Sequence, residues 1–76
     1  MKLTFDELNT ICSIIERTIT ENAIRAANMR MELETIEDTG EKAFYWGIID
    51  GTMSENTELK KLRLKVMGMM KNTSIL

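Results

Sequence analysis

From Phe5 onward the apolar residues of this chain return at spacings of three, four, three, four, and nothing else in the sequence constrains the fold as strongly. The positions are Phe5, Leu8, Cys12, Ile15, Ile19, Asn22, Ala26, Met29, Leu33 and Ile36. Nine of the ten are apolar, and only Asn22 interrupts the stripe. A heptad seam of this length demands a long amphipathic helix packed along its whole length against another. At about 1.5 Å per residue the 5–36 segment is a rod ~48 Å long. Thr4 and Glu7 precede it as a T-x-x-E capping box, so the helix is expected to start there. A polar residue inside such a seam commonly fixes register or oligomer state at a cost in stability, and Asn22 is read that way.

The second half carries its own seam: Tyr45, Ile48, Thr52, Glu55, Leu59, Leu62, Val66 and Met69. Six of these eight are apolar, and the two polar ones are neighbours in the middle of the stripe. The sequence lacks proline, so no residue forces a break. The unbroken register predicts one continuous helix. A competing reading breaks it near Asp50-Gly51, with Thr52-x-x-Glu55 or Ser54 opening a third helix. Between the seams lies Glu37-Asp38-Thr39-Gly40-Glu41, where Gly40 is expected to end the first helix in a left-handed conformation and Asp38 or Thr39 to cap the second. The expected organisation is a single all-α domain with a helix over about 4–37, a turn over about 38–41 and a helix over about 42–71. A short turn makes the two helices antiparallel neighbours. Leu33 and Ile36 are then expected near Tyr45 and Ile48, and Leu8 and Cys12 near Met69.

A hairpin of 76 residues has a thin core, because a domain near this size buries only ~60% of its unfolded surface. Many apolar residues also fall outside the two seams. Ile11, Ile14, Ile24, Ala27 and Met31 do so in the first helix, and Phe44, Trp46, Ile49, Met53, Leu64, Met67 and Met70 in the second. Trp46, Ile49 and Met53 form a stripe beside the main seam, which Met67 and Met70 continue after an interruption at Asn56, Lys60 and Arg63. A stripe holding a tryptophan covers something. Self-association into a four-helix bundle is the first expectation, a different protein partner the second. Phe44, Trp46, Ile49, Met53, Met67 and Met70 are the expected association residues, since aromatic side chains anchor interfaces. Gly47 and Gly51, four apart, would permit close approach of another helix or soften this one.

Composition excludes more than it selects. Histidine is absent, which removes the commonest general base and metal ligand. One cysteine permits neither an intrachain disulfide nor a cysteine-based zinc site, and Cys12 in the seam is read as a core residue. No acid–base pair with a substrate pocket is visible, so the chain is not expected to be an enzyme, and neither cofactor nor metal is expected. The five carboxylates of Glu32, Glu34, Glu37, Asp38 and Glu41 lack calcium-loop spacing and read as a solvated turn. The longest apolar run, Ala43–Ile49, is too short for the ~20 residues of a membrane span. The opening MKLTFDELNT is unlike a signal peptide, and no lipidation motif stands at either end. A cytoplasmic protein is the default expectation.

The opening MKLTFDELNTICSIIE resembles the start of small helical accessory proteins encoded by bacteriophages, particularly those of low-GC Gram-positive hosts. The resemblance covers the first helix and rests on a capping box followed by an amphipathic helix. It implies a viral or mobile-element origin, with the chain living in the cytoplasm of a host cell. It implies inhibition of a host or defence-system protein by occupying a surface, or sequestration of a signalling nucleotide by a small oligomer.

Three functional expectations follow. The first is a non-catalytic protein-interaction module that blocks a host protein. The second is a helical nucleic-acid-associated regulator using Lys60, Lys61, Arg63 and Lys65, which lie in a stretch from Lys60 to Lys71 that holds bases and no acid. The net charge of −2 argues against nonspecific nucleic-acid binding as the main activity. The third is an oligomeric nucleotide sponge, with an aromatic ring on the base and Arg25 or Arg30 near phosphate.

Overall fold

The computed structural model describes residues 2–74, with side chains as far as Asn72. It contains two helices, α1 (Phe5–Leu33) and α2 (Thr39–Ser74), packed side by side as an antiparallel hairpin 58 × 16 × 14 Å in extent. α2 is one continuous helix through Asp50 and Gly51, which removes the three-helix alternative. Among the described residues no helix is long and apolar enough to cross a membrane.

The start of α1 is the capping box that the sequence specifies. The Glu7 backbone N–H donates to Thr4 Oγ1 at 3.1 Å, and the Thr4 N–H donates to Glu7 Oε1 at 2.9 Å. These bonds occupy amides that the first helical turn leaves without partners. They also hold the Glu7 carboxyl below its ordinary value, the Thr4 backbone N–H contributing most and its hydroxyl next.

The other end of α1 departs from expectation. The helix stops at Leu33 rather than near 37, and Gly40 does not stop it. The Thr35 N–H and hydroxyl both donate to the Glu32 carbonyl, at 3.0 and 2.7 Å, and the Ile36 N–H donates to the Leu33 carbonyl at 3.1 Å. These tight i→i+3 bonds close the last turn by using carbonyls that lack helical partners. α2 then begins at Thr39 instead of 42. Asp38 caps it, its Oδ2 accepting from the Glu41 N–H at 3.0 Å and its carbonyl from the Lys42 N–H at 3.0 Å. Gly40 therefore sits inside the first turn of α2, and no glycine has a positive φ. Its missing side chain has a different use: a Cβ there would lie 3.2 Å from Asp38 Oδ2, crowding the cap.

The seam of α1 is the expected one. Leu8, Cys12, Ile15, Asn22, Ala26 and Leu33 are buried, while Ile19, Met29 and Ile36 are half-buried and the terminal Phe5 is exposed. The seam of α2 is rotated. Tyr45, Thr52, Leu59 and Val66 face α1 as expected, but the residues between them are Ile49, Asn56, Arg63 and Met70. Ile48, Leu62 and Met69 are exposed, and Glu55 lies at the edge of the interface.

The reason for that rotation is polar. Two registers share Tyr45, Thr52, Leu59 and Val66, and the expected one has more apolar residues. It would, however, place the Glu55 carboxylate in the seam opposite Asn22, and burying an unpaired carboxylate costs several kcal/mol. In the observed register Asn56 occupies that place. Asn22 Nδ2 donates to Asn56 Oδ1 at 3.0 Å and Asn56 Nδ2 donates to the Ile19 carbonyl at 3.1 Å. Asn22 Nδ2 also reaches Glu55 Oε1 at the rim, at 3.2 Å. The two asparagines are 5% and 3% exposed, so a crosslink of amides sits midway along an otherwise apolar seam.

On the open side of this crosslink, where the helix ends meet, Leu8, Cys12, Ile15 and Val66 form the core, with Ile11, Ile19, Leu59 and Met70 packed against them. Leu8 and Cys12 thus belong with Val66 and Met70, not with Met69. On the turn side Ala26, Leu33 and Ile49 are buried.

Candidate interaction surface

The rotation of α2 redistributes the residues expected to hold a partner. Ile49 is 0% exposed and belongs to the intrachain core, and Met70 packs on the open-end cluster. Ile49 is thereby withdrawn as an association residue and Met70 stays half-exposed: the register that withdraws Glu55 from the seam draws the first in fully and the second in part. Phe44, Trp46, Met53 and Met67 stay at the surface. Ile48, Leu62 and Met69 join them there, and sequence reasoning placed these inside.

Trp46 and Met53 rise one position after the seam residues Tyr45 and Thr52, on one flank of the hairpin. α1 meets them there with Ala23, Ala27, Arg30 and Met31. A groove of about 290 Å³ runs along this flank, lined by Ala23, Ala26, Ala27, Arg30, Met31 and Met53. Its floor is alanine, so the α1 backbone is thinly covered, and Met31 and Met53 form its walls. Trp46 closes the groove toward the turn, with the Arg30 guanidinium carbon 6.0 Å from its ring centroid, at the outer limit for a cation–π contact. Trp46 remains 45% exposed. Only the Trp46–Met53 part of this flank was legible from the α2 stripe. On α1 the sequence singles out Ala27 and Met31 as apolar residues outside the seam, but joins neither to Trp46 and Met53, and Ala23 carries no signal until α2 is in place beside it.

The three consecutive aromatics diverge, as successive helix positions must. Tyr45 enters the seam and meets Phe44 edge-on, with ring centroids 6.5 Å apart at 69°. Its hydroxyl is pushed above the ordinary phenol value, first by the nearby Glu32 charge and then by burial. Phe44 turns away to the outer face, 66% exposed.

The basic stretch is split between faces of α2. Lys61 and Lys65, four residues apart, share a face with Glu58, which Lys61 reaches at 3.4 Å, and Lys60 leaves on another. Arg63 lies in the seam, where its Nε is buried without a hydrogen-bond partner. Its charge reaches Cys12, whose thiol is nonetheless pushed upward, mainly by burial and then by the Glu16 carboxylate. Cys12 Sγ donates to that carboxylate at 3.8 Å. A buried thiol held protonated is a poor nucleophile. Among the described residues no three acidic, cysteine or histidine side chains converge as metal ligands.

The class that this geometry defines is a two-helix antiparallel hairpin with a polar crosslink in its seam and uncovered apolar flanks. Comparison with known proteins finds no matching family model, no matching curated relative and no matching solved structure.

Proposed function

We propose that this chain is a non-catalytic protein-interaction module that completes its hydrophobic core against another polypeptide through the flank carrying Trp46 and Met53. One observation carries the reading. A groove with an alanine floor, methionine walls and a tryptophan at its end lies open on a hairpin only two helices thick. Groove-and-ridge packing of a further helix is what such a surface fits. A large aromatic next to a shallow apolar depression is also the usual anchor of an interface. In the phage accessory setting that the first helix resembles, the hairpin with its core completed in this way occupies and blocks the surface of a host or defence-system protein.

The nucleic-acid reading has less support, since Lys61 and Lys65 share their face with Glu58, Lys60 leaves on another and Arg63 is drawn into the seam. The nucleotide reading has one observation in its favour, the Arg30 guanidinium beside the Trp46 ring, and predicts ligand-dependent thermal stabilisation.

The test is Trp46→Ala, together with Met53→Ser, measured for both solution mass and partner capture. Loss of either relative to the parent protein, at unchanged helical content, supports the flank as the binding surface. Unchanged mass and unchanged capture in both variants overturn it.

A further inference from the structure

The charge of the hairpin is divided along its length. The half containing the turn, residues 20–56, holds three bases and eight acids, whereas the half containing the helix ends, residues 2–19 and 57–72, holds seven bases and four acids. The acids nearest the turn, Glu32, Glu34, Glu37, Asp38 and Glu41, are all exposed, and Glu32 and Glu34 stand where the α1 dipole disfavours them. Lys60, Lys61 and Lys65 are exposed in the other half. A rod 58 Å long with an acidic and a basic end has one self-complementary arrangement, in which two copies lie side by side with opposite polarity.

The apolar residues follow the same logic. The groove is in the acidic half. In the basic half the same flank of α2 carries Leu64 and Met67, 66% and 48% exposed. Asn22 opposite Asn56, and Cys12 beside Val66, fix how α1 and α2 align. With that alignment, a two-fold axis across the flank near Ile19 and Leu59 brings Leu64 and Met67 of one copy level with Ala23 and Ala27 of the other. Both grooves are filled at once, as an isologous contact requires.

We propose that the occupant of the Trp46–Met53 flank is a second copy of this chain, laid antiparallel so that the acidic turn of each hairpin meets the basic open end of the other. The inference rests on the reading of that flank as a binding surface and names its partner. The product is a four-helix bundle in which Leu64 and Met67 insert into the alanine-floored grooves.

Three measurements on the full chain test it. Light scattering on a sizing column should give twice the monomer mass at micromolar concentration. Raising salt from about 50 mM to about 500 mM, which shortens the screening length severalfold, should weaken the dimer by about tenfold. A parallel dimer, with like ends together, would be tightened by the same change. Finally, in a Cys12→Ala background, chains carrying Ala27→Cys should form disulfides with chains carrying Met67→Cys, and neither these nor chains carrying Glu37→Cys should crosslink to their own kind. A monomer at all concentrations overturns the proposal while leaving the flank open to a foreign partner. Disulfides between two Glu37→Cys chains overturn the antiparallel arrangement. A dimer indifferent to both Trp46→Ala and Met67→Ser overturns the flank as the surface of the dimer, and the functional reading falls with it only where partner capture is unchanged as well.

Discussion

Replacing the two central asparagines by leucine, singly and together, tests the account of the seam most directly. The three variants have different consequences because the two amides do different things. In Asn22→Leu, Asn56 Oδ1 loses its 3.0 Å donor at a residue only 3% exposed, so an acceptor is left buried and unsatisfied at a cost of ~1–3 kcal/mol. The new leucine buries apolar surface worth ~1.5–3 kcal/mol, which offsets most of that cost. In Asn56→Leu, Asn22 Nδ2 keeps Glu55 Oε1, and the Ile19 carbonyl loses only a second hydrogen bond beyond its helical one. That variant is therefore expected to equal or exceed the parent in stability. The double variant has no orphaned amide and two added apolar side chains, so it is expected to gain ~2–4 kcal/mol.

The quantity to measure is the coupling. The double variant should be more stable than the sum of the single changes by ~1–3 kcal/mol, the cost of the orphaned group that it alone avoids. Urea denaturation followed by circular dichroism supplies the four values. Protein concentration is held constant throughout, because association shifts apparent stability. Additivity within ~0.5 kcal/mol would refute the reasoning, since it would mean that Asn22 and Asn56 do not depend on each other. The extra stability of the double variant should come with loss of specificity. The competing register with Ile48, Leu62 and Met69 inside no longer forfeits a hydrogen-bonded pair, and a broader mixture of solution masses is expected.

Gly51→Ala is expected to stabilise the hairpin by ~0.5–1 kcal/mol, because the glycine is in the interior of α2 and an alanine costs less backbone entropy. An added Cβ meets nothing within 4 Å, so a loss of stability in urea melts would show that this face is covered. On the alkaline side, Cys12 and Tyr45 both titrate above their ordinary values of 9.0 and 10.0. Each therefore favours folding in its protonated form, and that contribution is intact below the unfolded value and lost as pH rises through the folded one. Stability should fall as pH passes 9 and fall further past 10. Cys12→Ala with Tyr45→Phe should lessen that fall relative to the parent, and parallel pH profiles would contradict it.

The fold was legible because its determinants are local and periodic. The capping box at Thr4 and Glu7 lies within one helical turn, and the α1 seam repeats often enough that a single polar residue cannot disguise it. The turn was expected over about 38–41 and lies over 34–38, because the expected stop signal was the wrong one. Glycine signals a left-handed stop in many helices, whereas here Thr35 ends α1 by bonding to the Glu32 carbonyl, and Gly40 makes room for the Asp38 cap. No counting of residue types separates these two uses of glycine. They differ only in which oxygen the chain has brought nearby.

The seam of α2 exposes a deeper limit, and the surface depends on it. A helix whose apolar residues occupy a, d, e and g positions offers two seams that share every second member. Choosing between them by hydrophobicity selects Ile48, Leu62 and Met69, the more apolar set. The chain selects Ile49, Asn56, Arg63 and Met70, accepting an arginine in the interface with its Nε unpaired for the sake of an amide pair across the hairpin. That choice depends on which residue of α2 comes level with Asn22, a relation between segments 34 residues apart that periodicity within either segment does not contain. The choice also decides what is left outside. Had Ile48 and Leu62 been buried, Ile49 would have joined Trp46 and Met53 in one long apolar stripe. With Ile49 withdrawn fully and Met70 in part, the flank divides into a groove near the turn and the projecting Leu64 and Met67 near the open end. A long stripe can accept many helices in many registers. A groove at one end and a matching projection at the other accept one partner in one orientation, so the asparagine pair that costs the hairpin stability also shapes the surface through which it would recognise its own copy.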